Sequence, residues 1–180
     1  MVIKDFVLFL ESLKNKTYDK GCVMIYFQFP DFKDLASKLE EGDIYTEDGF
    51  GIESDPHVTL LYGLDPQVEL EQVVEKLDGI SFGETKIGDV SLFEKDDYDV
   101  LKFSAFSPSL GVANKKLGEL PYENDYPIYK PHFTLAYIKG GMGKKYVEMF
   151  KGLEWRLEPS HLVFSRPGGE KIRIKISRKK

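Results

Sequence analysis

Residues 55–64 read "DPHVTLLYGL" and residues 130–139 read "KPHFTLAYIK". Both contain Pro-His-x-Thr-Leu-x-Tyr, and the repeat takes up two of the chain's three histidines. Side chains alternate between the two faces of a β-strand. His57 therefore shares a face with Thr59, and His132 with Thr134, while Val58, Leu60, Phe133 and Leu135 point into a core. The same alternation sends Tyr62 and Tyr137 to the core face. One imidazole and one hydroxyl are thus set side by side, twice, on a rigid apolar backing.

Outward from these strands, loops precede and helices follow. An amphipathic helix is expected over residues 3–13, then a strand "CVMIYFQF" whose Val23, Ile25, Phe27 and Phe29 face a core and whose Met24, Tyr26 and Gln28 face a wetter surface. "DFKDLASKLEEG" reads as a helix with Asp31 as N-cap and Gly42 as its stop. The aperiodic "DIYTEDGFGIESDP" before the first motif is long for a connection, and reads equally as a lid over a site or as a surface loop. "ELEQVVEKLDG" is a helix closed by Gly79, "KIGDVSLFE" and "VLKFSAF" form a hairpin, and "PSLGVANKKLGEL" is a helix. After the second motif come the helix "KKYVEMFKGL" and a terminal strand pair, "WRLEPSHLVFS" with "KIRIKIS". The expectation is an α+β protein of two pseudo-symmetric lobes, each built around a His-containing strand, and a single domain over residues 1–180 because no Pro-, Gly- or Ser-rich linker divides it.

Composition narrows the function. With 42% hydrophobic residues the chain can close a substantial core, and no apolar run nears the roughly 18 residues of a membrane span, so a soluble, cytoplasmic protein is expected. The net charge of −5 argues against coating long nucleic acids. The charge is unevenly spread: residues 1–90 carry −11 and residues 91–180 carry +6, so the second half can attract an anion. The single cysteine, Cys22, heads an apolar strand and reads as core packing.

The paired motifs fit phosphodiester chemistry. An imidazole with a pKa near 6.5 serves as base when neutral and as acid when protonated, so two of them supply both proton transfers. The two hydroxyls can hold non-bridging phosphate oxygens. A zinc or iron site is disfavoured because the position two after each His is Thr rather than a ligand, and no cofactor is implied. His161, in "PSHLVFS", lacks a Thr partner and reads as an ordinary terminal-strand residue. For a nucleobase, the candidate stacking residues are Tyr26, Tyr122, Tyr126 and Tyr129; for a second phosphate, Lys130 and Lys139.

Paired His-x-Thr strands 75 residues apart resemble the 2H phosphoesterase superfamily over essentially the whole sequence. The resemblance implies a bilobal fold around a concave groove and metal-independent action on phosphodiesters of nucleotides or RNA. It makes His57 and His132 the acid/base pair and Thr59 and Thr134 the phosphate holders. A narrower resemblance, carried by "ESDPHVTLLYG", "LFEKDDYDVLKF", "NDYPIYKPHFTLAYIKGG" and "VFSRPGGEKIRIKI", is to phage anti-CBASS nucleases, which destroy cyclic di- and trinucleotide signals. That resemblance implies cleavage of 3′-5′ phosphodiester bonds in the host cytoplasm. A 2′,3′-cyclic phosphodiesterase acting on RNA ends, akin to the 2′-5′ RNA ligases, and a non-catalytic RNA-binding module are the alternatives.

Overall fold

The computed structural model describes residues 19–123, 126 and 128–176. The helix expected over residues 3–13 lies outside them. Two four-stranded antiparallel sheets organise the chain. The first has the order β2-β1-β7-β8, formed by β1 (Gly21–Phe27), β2 (His57–Leu64), β7 (Pro159–Ser165) and β8 (Lys171–Lys175). The second has the order β5-β4-β3-β6, formed by β3 (Thr85–Glu94), β4 (Tyr98–Phe106), β5 (His132–Lys139) and β6 (Trp155–Leu157). Each motif strand is the edge strand of its sheet, and the two edges, β2 and β5, lie against each other.

The lobes are not the two halves of the chain. The segment expected as one strand, "WRLEPSHLVFS", splits at Glu158: β6 completes the second sheet, and β7 crosses back to pair with β1. The C-terminal hairpin therefore belongs to the lobe of the first motif, because the alternating cations and isoleucines of β8 find their apolar partners, Leu162 and Phe164, on β7.

Among the described residues four helices back the sheets: α1 (Phe32–Ala36), α2 (Leu70–Leu77), α3 (Pro108–Leu117) and α4 (Lys144–Phe150). The helix expected after Phe29 is much shorter than its sequence suggested. It stops at Ala36, Asp31 occupies the N-cap without a capping bond from its side chain, and the chain continues in tighter turns to a 3₁₀ turn at Glu41–Asp43. α2 starts on a reciprocal capping box between Glu69 and Gln72, and Gly79 follows it at φ +73°, a conformation that favours glycine. One continuous core runs beneath both sheets, from Val23, Ile25 and Leu60 through Phe103 and Phe133 to Tyr146 and Phe150.

Each lobe also closes the other's open edge. The aperiodic loop before the first motif runs along β5, with Tyr45 N–H donating to Tyr137 O (2.9 Å), Tyr137 N–H to Gly51 O (2.8 Å) and Glu53 N–H to Leu135 O (2.9 Å). Residues 121–123 do the same for β2 through Asp65 N–H to Pro121 O (3.0 Å) and Glu123 N–H to Gly63 O (2.9 Å). Two edge strands that would otherwise expose unpaired backbone groups are thereby satisfied. Among the described residues no helix is long and apolar enough to cross a membrane.

Candidate active site

Both motif strands contain a bulge at the same place. In β2, Thr59 pairs with Met24 and Leu61 with Val23, so Leu60 is the extra residue. In β5, Thr134 pairs with Lys102 and Ala136 with Leu101, so Leu135 is extra. The carbonyl groups displaced from the ladder find other donors, Asn114 Nδ2 for Leu60 O (2.7 Å) and Glu53 N–H for Leu135 O. A bulge resets the alternation of side chains. His, Thr and Tyr of each motif consequently stay off the core while two successive apolar residues enter it. The expected core positions of Tyr62 and Tyr137 are thus corrected: Tyr62 is 46% exposed, and Tyr137 lines the groove beside His132 and Thr134. The Leu of Thr-Leu-x-Tyr is what the repeat conserves between its own two copies, and it marks the bulge.

The two imidazoles are held alike. His57 Nδ1 lies 3.0 Å from Asp55 O, and His132 Nδ1 lies 2.8 Å from Lys130 O. A carbonyl only accepts, so Nδ1 carries the proton in each bond and Nε2 is left for a ligand. His132 sits below the usual imidazole range: burial is the main cause, and the charges of Lys102 and His57 add to it against the bond to Lys130 O. The influence of one histidine on the other places both in a common electrostatic field.

Beside His132 and Thr134 a groove of about 260 Å³ is walled by Phe50, Phe93, Tyr98, Tyr126 and Tyr137 and carries Lys95 and Lys102. Tyr45, from the loop on β5, packs on Phe50 and Tyr98, and Phe50 packs on Tyr137 at 4.4 Å between ring centroids. Lys102 was not anticipated from the sequence. It is the cross-strand neighbour of Thr134, it is half-buried, and its Nζ donates to Ser91 Oγ at 2.9 Å. Burial, and then the charge of Lys130, lower its pKa. The one signal was its place in β4, at the same parity as Ser104 among apolar residues, but the register onto β5 cannot be read from β4 alone.

The other candidates separate. Tyr26 stands beside His57 as its cross-strand partner, with ring centroids 5.2 Å apart, and burial with nearby Asp55 and Glu53 pushes its hydroxyl up to about 12. Tyr126 lines the groove. Tyr129 turns toward the core and donates its hydroxyl to Thr59 O (3.0 Å), tying the loop before the second motif to the strand of the first. Tyr122 bridges to Leu64, at the opposite end of β2 from His57. Lys130 is exposed beside Lys102, and Lys139 is engaged with Gly42 O at 2.7 Å, holding the loop on β5. Cys22 lies in the first sheet, where burial pushes its thiol up to about 12. Among the described residues, no three His, Cys, Asp or Glu side chains gather as a metal site.

This is the bilobal α+β fold of the 2H phosphoesterases. Among solved structures the chain is similar to Usb1 of Kluyveromyces marxianus (TM-score 0.55, 8% identity, 88% of this chain and 99% of that one), which has also been solved with uridine monophosphate. It is similar as well to TT0787 of Thermus thermophilus (TM-score 0.52, 15% identity, 88% and 100%) and to E. coli LigT complexed with 3′-AMP (TM-score 0.50, 12% identity, 89% and 97%). No family model and no curated protein matches the sequence.

Proposed function

We propose that the chain is a phosphodiesterase that cleaves 3′-5′ bonds of cyclic di- or trinucleotides, using His132 as general base and His57 as general acid with no metal in the reaction. The observation that carries this reading is the twinned tether: each imidazole gives its Nδ1 proton to the carbonyl two residues upstream, which leaves Nε2 outside that bond, on a strand whose next outward residue is the motif threonine. Burial and Lys102 favour the neutral form of His132, which is the form a base needs. The two fold relatives solved with UMP and with 3′-AMP support a nucleotide ligand, and the aromatic groove beside His132 suits a base.

Neither motif offers a covalent nucleophile, so the substrate's own ribose 2′-hydroxyl attacks, with the proximity advantage of an intramolecular reaction. His132 Nε2 takes the 2′-hydroxyl proton as the 2′ oxygen bonds to phosphorus. The bond from phosphorus to the 5′ oxygen breaks, and His57 delivers a proton to that oxygen. Thr59, Thr134 and the Lys102 ammonium hold the charge that builds on the non-bridging oxygens. The products are a 2′,3′-cyclic phosphate and a 5′-hydroxyl, here the two ends of one linear chain.

The test is mass spectrometry of a cyclic diribonucleotide incubated with the protein and excess EDTA. A linear product ending in a 2′,3′-cyclic phosphate is expected, with a 2′-deoxy analogue resistant. His57→Ala and His132→Ala should each lose at least about 10²-fold in kcat/KM. Equal cleavage of the deoxy analogue rejects the intramolecular attack. Turnover of RNA 2′,3′-cyclic ends alone transfers the reading to an RNA-end phosphodiesterase, and salt-sensitive RNA binding without any turnover transfers it to a binding module.

A further inference from the structure

The first sheet carries a row of side chains that the chemistry above leaves unused. Tyr26 pairs with His57 on one side and with His161 on the other, and His161 pairs in turn with Lys175. The rings stand side by side across three strands: Tyr26 and His161 are parallel within 13° at 4.9 Å, continuing the line from His57. His161 is therefore no ordinary end-of-strand residue. Ser160 Oγ donates to Tyr26 O (3.2 Å) and lies 2.8 Å from His161 Nδ1, so it accepts the Nδ1 proton and leaves Nε2 open, the same disposition as in the two motif histidines. On β8, Ile172 and Ile174 pack on the core while Lys171, Arg173 and Lys175 are exposed on the opposite face, the one that holds His161. Among the described residues none of these three cations forms an ion pair with a carboxylate. Arg173 lies in the field of His161: burial first, then this cation, depress the imidazole pKa, against the Asp55 carboxylate, which raises it.

We propose that this face is a second nucleotide subsite, in which His161, Arg173 and Lys175 hold a phosphate next to the one cleaved between His57 and His132. The inference rests on the phosphodiesterase reading and adds where a second phosphate of the nucleotide is held. Crossing from β2 over β1 and β7 to β8 covers roughly 14 Å at the spacing of neighbouring strands, so a mononucleotide held at His57 and His132 leaves the row vacant. The excess of positive charge in the second half of the sequence ends, through the crossing of β7, beside the first motif. An anionic backbone laid along the ring edges meets cations with no carboxylate of their own to leave.

The experiment compares the parent protein with Arg173→Gln/Lys175→Gln, both also carrying His132→Ala to suppress turnover. Binding of three ligands is titrated over a range of salt: a 2′,3′-cyclic mononucleotide, a cyclic dinucleotide, and a linear tetraribonucleotide. The double variant is expected to lose about tenfold in affinity for a ligand with two or more phosphates and to flatten its log–log salt slope by about 0.7 per lost contact. Its affinity for the mononucleotide should change less than twofold. Loss in the cyclic arm alone identifies a cyclic second phosphate, and loss in the linear arm alone a strand. Equal losses for mono- and dinucleotide, or none for either, overturn the proposal. Expected binding without cleavage by the wild-type protein sinks the phosphodiesterase reading and leaves the subsite standing; cleavage with no contribution from β8 does the reverse.

Discussion

Lys102→Met removes a charge from the groove while keeping an unbranched stem of similar length. Directly opposed cross-strand residues have Cβ atoms roughly 4.5–5.5 Å apart, so the ammonium of Lys102 can reach a phosphate oxygen held by Thr134, its partner on β5. A unit charge about 5 Å from a phosphate at an effective dielectric of about 20 interacts by about 3 kcal/mol. Only the part that grows as charge accumulates on phosphorus lowers the barrier, and losing one preorganised donor costs about 10²–10³ in kcat in comparable sites. We expect kcat for a cyclic dinucleotide to fall by about 10²-fold, with KM changed much less. The pH profile gives a second readout. His132 is depressed by burial and by Lys102, so removing the cation raises its pKa toward the usual value. The base works only when neutral and is lost as pH falls through that pKa, so the acidic limb of kcat/KM moves to higher pH. Stability should barely respond, with Tm within about 3 °C of wild type, equivalent to about 1 kcal/mol. A variant whose kcat stays within threefold and whose acidic limb stays in place refutes the placement of Lys102 at the reacting phosphate.

Three further outcomes follow from packing. A Cβ on Gly143 would meet Leu92 Cδ2 at 2.7 Å and Asp99 Oδ2 at 2.9 Å, where that carboxylate accepts the Gly141 and Gly143 N–H groups; Gly143→Ala should cost about 1–3 kcal/mol, and an unchanged Tm in calorimetry would contradict it. Tyr129→Phe removes the bond to Thr59 O and should lower stability by about 1 kcal/mol, read from the urea midpoint at constant slope; no shift means the tether contributes nothing. With its thiol at about 12, Cys22 has a thiolate fraction of about 10⁻⁴ at pH 8, so iodoacetamide should label the folded protein far more slowly than the urea-unfolded chain, and equal rates would place the thiol at the surface.

The repeated phrase was enough to pair His57 with Thr59 and His132 with Thr134, because strand alternation is local and needs no partner. The same rule failed three residues further on. Tyr62 and Tyr137 left the core because Leu60 and Leu135 are bulged, and a bulge exists only against a neighbouring strand. The helices α2 and α3 and the β3–β4 hairpin were legible for the same local reasons, namely caps, periodicity and a polar turn. What tertiary structure decided were the relations between distant segments. The fourteen-residue loop took its place on β5 by filling the open edge of the opposite lobe. Lys102 reached Thr134 through the register of β4 on β5, and His161 reached Tyr26 because β7 crosses to the first sheet. Periodicity fixes which way a side chain points along its own strand; which strand lies beside it is set by the apolar faces that must be covered together, and those come from distant segments, 32 positions apart for Lys102 and Thr134 and 135 for Tyr26 and His161.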